Sequence, residues 1–126
     1  MSVSVKQLMA AANEAVPKIS VDEARKLVAK ENALMVDVRD GTEVANTGKI
    51  KGAVHVSRGM IEFRADTEAP SHDPKFQKDR PVILYCASGG RAALAGKVLK
   101  DMGYTKVRNL GGFKDAVDGG LETEPG

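Results

Sequence analysis

The chain has 126 residues, 42% of them hydrophobic, which suits one compact domain able to bury roughly two-thirds of its unfolded surface. Its 19 basic and 17 acidic residues are scattered and leave a net charge of +2, so the clustered cationic face that a phosphate backbone requires is missing and nucleic acid is not an expected partner. No Trp, two Tyr and three Phe give no platform for base stacking, and one cysteine excludes an internal disulfide and an internal resolving thiol, which points to a reducing cytoplasm.

Residues Met1–Ala15 mix Lys6, Asn13 and Glu14 with their apolar residues, so the segment reads neither as a signal peptide nor as a membrane span. Val5, Leu8, Met9 and Ala12 recur at helical spacing ahead of Pro17 and predict a helix over Val5–Ala15, packed outside the core. Lys18-Ile19 suits a short strand. Ser20-Val21-Asp22-Glu23 is a capping box that opens a helix with Ala24, Leu27 and Val28 on its apolar face.

Ala33–Val38 is a nearly continuous run of apolar residues, as in a strand covered on both faces, with Asp37 as the exception inside it. Gly52–Val56 predicts a shorter strand, and Ser57–Arg80 a long connection with helical turns around Gly59–Phe63 and Asp73–Gln77. Pro81–Tyr85 predicts a strand that ends directly at Cys86. Ala92, Ala93, Ala95, Val98 and Leu99 then form a helix with a small-residue face, stopped near Gly103. A strand over Lys106–Leu110, a short helix over Phe113–Val117 and a frayed tail at Leu121–Gly126 complete the chain. Short apolar strands alternating with helices predict an α/β fold with a mostly parallel sheet, whose ligands collect at the carboxyl ends of the strands.

The segment between strand and helix, Cys86-Ala87-Ser88-Gly89-Gly90-Arg91, carries the chemistry. Small residues and two glycines let the backbone curl so that successive N–H groups face the sulfur or a bound anion. The helix that follows adds the positive end of its dipole, and Arg91 adds a cation at its first turn. Together these favour the thiolate form of Cys86 and would equally stabilise a persulfide.

Asp37-Val38-Arg39, Glu43, the run Gly48–Val56, the Cys86–Arg91 loop and Leu110-Gly111-Gly112-Phe113 stand in the order and spacing of the landmarks of the rhodanese-like family, which the chain resembles from about Ile19 to about Gly119. The resemblance implies a rhodanese-like α/β fold with a five-stranded, mostly parallel sheet and helices on both faces. It implies a single domain over residues 1–126, its core about 18–120. It further implies Cys86 as the catalytic residue, taking sulfane sulfur from a small anionic donor such as thiosulfate and passing it to cyanide or a thiol, including a protein thiol. The main-chain amides of Ala87, Ser88, Gly89, Gly90 and Arg91 would hold the sulfur and the anionic end of the donor, and the alternative for the Arg91 side chain is to be held inward, bracing the loop. No cofactor or metal is implied. Related phosphatases and arsenate reductases place five residues between cysteine and arginine; here four intervene, and the tighter loop suits one extra sulfur atom better than a tetrahedral oxyanion. Lys49, and Ala116 with Val117, depart from a histidine and an aromatic residue frequent in the family, without touching the nucleophile.

Plainer readings stand beside these. Cys86 could be an ordinary buried cysteine, but its place after a strand and before two glycines and an arginine argues for the chemical role. Asp37 reads as a structural carboxylate accepting backbone or Arg hydrogen bonds. Arg39 and Glu43, four residues apart, read as a local ion pair or as braces of neighbouring loops. His55 reads as a satisfied core histidine and His72 as solvated; with one cysteine they offer no metal-ligand spacing. Arg58, Arg64 and Lys75 read as surface charge, and Met60 with Phe63 as core. Two other functions compete with small-molecule sulfur transfer: a relay or regulatory module whose persulfide is read by a protein partner, and a phosphatase-like or arsenate-reducing activity.

Overall fold

Two helix starts are set by the same reciprocal cap. The Ser4 hydroxyl accepts the Gln7 N–H at 3.1 Å while Gln7 Oε1 takes the Ser4 N–H at 2.8 Å. Ser20 and Glu23 repeat the exchange at 3.1 and 3.0 Å, as the sequence predicts. The computed structural model describes residues 2–126, and Met1 lies outside them. In chain order the elements are α1 (Val5–Ala15), α2 (Val21–Glu31), β1 (Leu34–Asp37), α3 (Gly41–Thr47), β2 (Lys49–Ile50), β3 (Val54–His55), a 3-10 turn at Arg58–Met60, α4 (Ile61–Ala65), β4 (Val82–Cys86), α5 (Gly90–Asp101), β5 (Val107–Gly112), α6 (Phe113–Asp118) and β6 (Thr123–Glu124).

Four strands form a parallel sheet in the order β3-β1-β4-β5, with Leu34 opposite Val82 and Val82 opposite Val107. The fifth line of the expected five-stranded sheet is reduced to a single parallel bridge between Lys18 and Asn109. Pro17 has no N–H to offer and Ser20 already caps α2, so only two residues remain free to pair there. Asn109 N–H reaches the Pro17 carbonyl at 2.9 Å, and Ile19 N–H reaches the Asn109 carbonyl at 3.0 Å.

Alternation along the central strands sorts the core into two layers. Leu34, Val36 and Val38 with Val82, Leu84 and Cys86 point toward the layer that also holds Val16, Leu99, Tyr104 and Val107. Met35 with Ile83 and Tyr85 points to the opposite layer, beside Ala24, Ile50, Leu110 and Ala116. Helices α1 and α5 thus cover the cysteine-bearing face, and α2 and α6 cover the other. The small residues of α5 have a direct use, since a Cβ built on Gly96 would meet the Val16 methyls at 2.9–3.0 Å. They let the end of α1 lie close against α5.

Several expectations are corrected. The tail Leu121–Gly126 is not frayed, because β6 pairs antiparallel with β2 and Glu124 accepts the Gly52 N–H. Gly59–Phe63 is helical, but Asp73–Gln77 forms only a turn, closed by Phe76 N–H on the Asp73 carbonyl. Met60 and Phe63 are exposed, since α4 buries Ile61 and Ala65 instead. On α1 the burial falls on Ala12, leaving Val5 and Leu8 in solvent, and on α2 Val28 is exposed while Ala24 is buried. An amphipathic period locates an apolar stripe, but the width of the stripe that a neighbour covers depends on tertiary packing.

Candidate active site

Cys86 is the last residue of β4 and is 1% exposed. Its neighbours Ala87 and Ser88 are exposed, and the chain then turns back under itself at Gly89, whose φ of +104° a residue with a side chain rarely adopts. That turn aims the Gly89 N–H at the Cys86 sulfur, 3.0 Å away. Gly90 opens α5 directly afterwards, and Arg91 lies in its first turn. Among the five loop amides expected to converge, Gly89 is the one hydrogen-bonded to sulfur.

The loop rests on the end of β5, a support the sequence reading did not identify. The β4–β5 register shifts between Leu84, opposite Asn109, and Tyr85, opposite Gly111, so Leu110 is an extra residue in the ladder. Gly111, at φ +98°, absorbs this bulge and delivers Gly112 beside Cys86. A Cβ on Gly112 would stand 2.6 Å from the Ala87 carbonyl oxygen. Asn109, 2% exposed, donates its side-chain amide to the Gly89 carbonyl at 3.1 Å and accepts the Gly111 N–H at 2.8 Å. The available signal was Leu110-Gly111-Gly112-Phe113, read as a landmark rather than as a seat for the loop.

Charge around the loop is arranged in two pairs. Asp37 and Arg39 are buried and two-pronged, with Arg39 Nε and Nη2 on the two carboxylate oxygens at 3.0 and 2.7 Å. Burial works against the Arg39 charge, but the hydrogen bonds and charge of Asp37 outweigh it and raise its pKa. The same guanidinium donates to Thr47 Oγ1 and to the Gly48 carbonyl, each at 2.8 Å, and lies 4.1 Å from the centre of the Phe113 ring. Asp37 thus accepts hydrogen bonds from both the backbone and the side chain of Arg39. Arg39 does not pair with Glu43.

Glu43 instead reaches forty-eight positions along the chain to Arg91, whose Nη1 and Nη2 contact its two oxygens at 2.6 and 3.1 Å. Glu43 also accepts the Asp40 N–H that opens α3, at 3.1 Å. Hydrogen bonds from Arg91 hold the Glu43 carboxyl well below the usual range, at about 2, and Glu43 in turn raises the pKa of Arg91. Arg91 is thus directed at α3 rather than inward across the loop. Glu43, Thr47, Ala87, Phe113 and Lys114 line an open cleft of about 310 Å³ at this mouth of the loop.

The other charged candidates are engaged elsewhere. Arg58 pairs with Glu62, Arg64 donates to the Ser71 carbonyl and Lys75 lies 3.9 Å from Asp73. His55 is exposed rather than buried in the core, with Nε2 2.7 Å from the Arg39 carbonyl, because β3 is an edge strand. His72 is half-buried rather than solvated and contacts the Phe76 carbonyl.

The chain is similar to known proteins over most of its length. The family model of the rhodanese-like domain matches residues 20–118. A sulfurtransferase from Allochromatium vinosum is 36% identical over 89 residues, which span 71% of this chain and 75% of that protein. Human thiosulfate:glutathione sulfurtransferase is 28% identical over 102 residues, 76% of this chain and 88% of its own. A solved structure from Rhodopseudomonas palustris, of unknown function and described as a possible tyrosine phosphatase, matches with a TM-score of 0.88 at 35% identity, covering 98% of this chain and 96% of its own.

Proposed function

This chain belongs to the rhodanese-like domain family, and we propose that it is a sulfurtransferase that carries sulfane sulfur as a persulfide on Cys86. The observation that carries the reading is the sulfur at the end of β4 with the Gly89 N–H aimed at it from 3.0 Å. In the first half-reaction the Cys86 thiolate attacks the outer sulfur of thiosulfate, a Cys86 S–S bond forms, and the donor S–S bond breaks with its electron pair leaving on sulfite. In the second, a thiolate or cyanide attacks the outer sulfur of the persulfide, and the electron pair of the breaking bond returns to Cys86. Gly89 N–H stabilises the anionic sulfur at both stages, and the other amides from Ala87 to Arg91 complete the cradle around the bound sulfur.

Thiosulfate as donor and a thiol as acceptor are supported by the name of the human relative, and the single cysteine, with no second thiol to resolve a disulfide, supports work in a reducing cytoplasm. Residues 1–126 are read as one domain with its core at about 18–120. Phosphatase chemistry, suggested by the description of the R. palustris protein, fits less well. A phosphate on the loop would need the fork of the arginine, and both Arg91 prongs are on Glu43.

Intact-mass spectrometry after incubation with thiosulfate, beside Cys86→Ser, tests the proposal. One added sulfur atom, removed by cyanide or thiol and missing in the variant, is expected. No gain by protein with a free reduced thiol would overturn the persulfide mechanism, and discharge confined to a protein thiol would replace the small-molecule reading with a relay.

A further inference from the structure

Helix α1 lies outside the residues that the family model matches, yet it packs on α5 and helps to close a second cleft against the cysteine loop. Met9 and Asn13 of α1, one helical turn apart, line it together with Lys18, Asn109 and, from the loop, Ser88 and Gly89. The volume is about 270 Å³, several times what a five-atom oxyanion such as thiosulfate fills. Water has a share of only about 30 Å³.

Lys18 gives this cleft its charge. It is exposed and, among the described residues, takes part in no ion pair. Its Nζ would lie 3.5 Å from a Cβ built on Gly111, the residue whose Cα stands 3.3 Å from a Cβ built on Gly89. The backbone around it is fixed by the bridge to Asn109, which also braces the loop. A free ammonium, an amide and a thioether thus share a space that the sulfur-bearing loop also lines.

We propose that this cleft holds the non-reacting end of the thiol acceptor and selects thiols that carry a carboxylate. Lys18 receives the carboxylate, Asn13 hydrogen-bonds to an adjacent polar group and Met9 contacts the carbon chain. The acceptor sulfur then reaches over Ser88 and Gly89 to the outer sulfur on Cys86. Its thiolate forms the new S–S bond, the Cys86–sulfur bond breaks, and the electron pair returns to Cys86 without an added oxidant or reductant. This inference rests on the persulfide reading and names the acceptor class that the reading leaves open.

Two measurements test it and separate it from that reading. The first titrates S-methyl-N-acetylcysteine, a carboxylated thioether that cannot accept sulfur, into the unloaded protein, following the Asn13, Ser88 and Gly89 amide signals by NMR; its carboxamide is the control. Shifts at these positions, a dissociation constant about tenfold weaker in Lys18→Gln and retained in Lys18→Arg, and no such change for the carboxamide are expected. Shifts elsewhere, or equal binding by Lys18→Gln, would overturn the subsite.

The second measures discharge of the loaded protein by N-acetylcysteine and by N-acetylcysteine amide. Lys18→Gln should raise the KM for the acid about tenfold, leaving the amide and the loading by thiosulfate unchanged. Equal slowing with both acceptors would make Lys18 merely structural and refute the proposal. Failure of the parent protein to load would instead count against the persulfide mechanism, and the NMR titration would still decide the cleft.

Discussion

Gly112→Ala isolates the contact between β5 and the cysteine loop. The backbone of Gly112, at φ −98° and ψ 144°, is ordinary extended chain, so alanine meets no conformational obstacle there. Its Cβ would stand 2.6 Å from the Ala87 carbonyl oxygen and 3.5 Å from Ser88 Cα, whereas ordinary contact begins at 3.4 Å, so the loop backbone must retreat by most of an ångström. Overpacking of this kind costs about 1–3 kcal/mol, which lowers the melting temperature by roughly 2–8 °C per kcal/mol at this chain length. A displacement near 1 Å at a reacting centre slows chemistry by about 10²-fold. The two effects are read together, by circular-dichroism melting and by the rate at which Cys86 gains sulfur from thiosulfate. Gly59→Ala is the comparator, because nothing lies within 4 Å of a Cβ there, and it should melt within about 0.5 kcal/mol of the parent. If Gly112→Ala loads sulfur within about twofold of the parent rate, the idea that β5 sets the position of the loop is wrong.

Asp37→Asn keeps the shape of a fully buried side chain and leaves Arg39 charged and uncompensated, at a cost of about 3–5 kcal/mol. Urea unfolding measures it, and Arg39→Met in the same chain should return part of the loss; no loss in the single variant would refute the buried pair. Glu43→Gln tests the second pair through pH. The Glu43 carboxyl is depressed from 4.5 to about 2 by Arg91, so its contribution is complete above the unfolded value and lost as pH falls through the folded one. Melting temperatures of parent and variant should differ above roughly pH 4.5 and converge near pH 2. Because both partners are partly in solvent, the difference at neutral pH should stay below about 1 kcal/mol. A constant gap over that pH range would show that the pair is not the source of the difference.

The elements most legible in the sequence were those whose signals are local. The Ser20–Glu23 cap, the covered strand around Val36, the strand ending at Cys86 and the small-residue helix after it all stand as the pattern predicts. Less legible were α3, β2 and β6, which are short and depend on contacts distant in sequence. Ile50 N–H donates to Tyr85 Oη across thirty-five positions, and Glu124 meets Gly52 across seventy-two. The site divides in the same way. Cys86 and its loop were visible as a strand–glycine–helix transition, whereas Asn109 carried no chemical signal of its own and matters because a bulge brings it under Gly89.

Of the two roles that spacing allows Arg39 and Glu43, a local ion pair or braces of neighbouring loops, the contacts exclude the first. Arg39 and Glu43 are four residues apart, but Asp40 caps α3 between them, so the pair is not on one continuous helix and the i,i+4 geometry does not apply. Arg39 turns back to the buried Asp37 and uses its remaining donors on Thr47 and Gly48, which fixes the carboxyl end of α3 against the sheet. With that end held, Glu43 faces α5 and takes both prongs of Arg91. Asp37 is thus joined to Arg91 only through a chain of contacts: Asp37 with Arg39, Arg39 with Thr47 and Gly48 at the end of α3, and Glu43 of α3 with Arg91. What remains inside the loop is main chain, with the Gly89 N–H on the sulfur, which suits a small anionic sulfur better than a tetrahedral ester that would compete with Glu43 for the guanidinium.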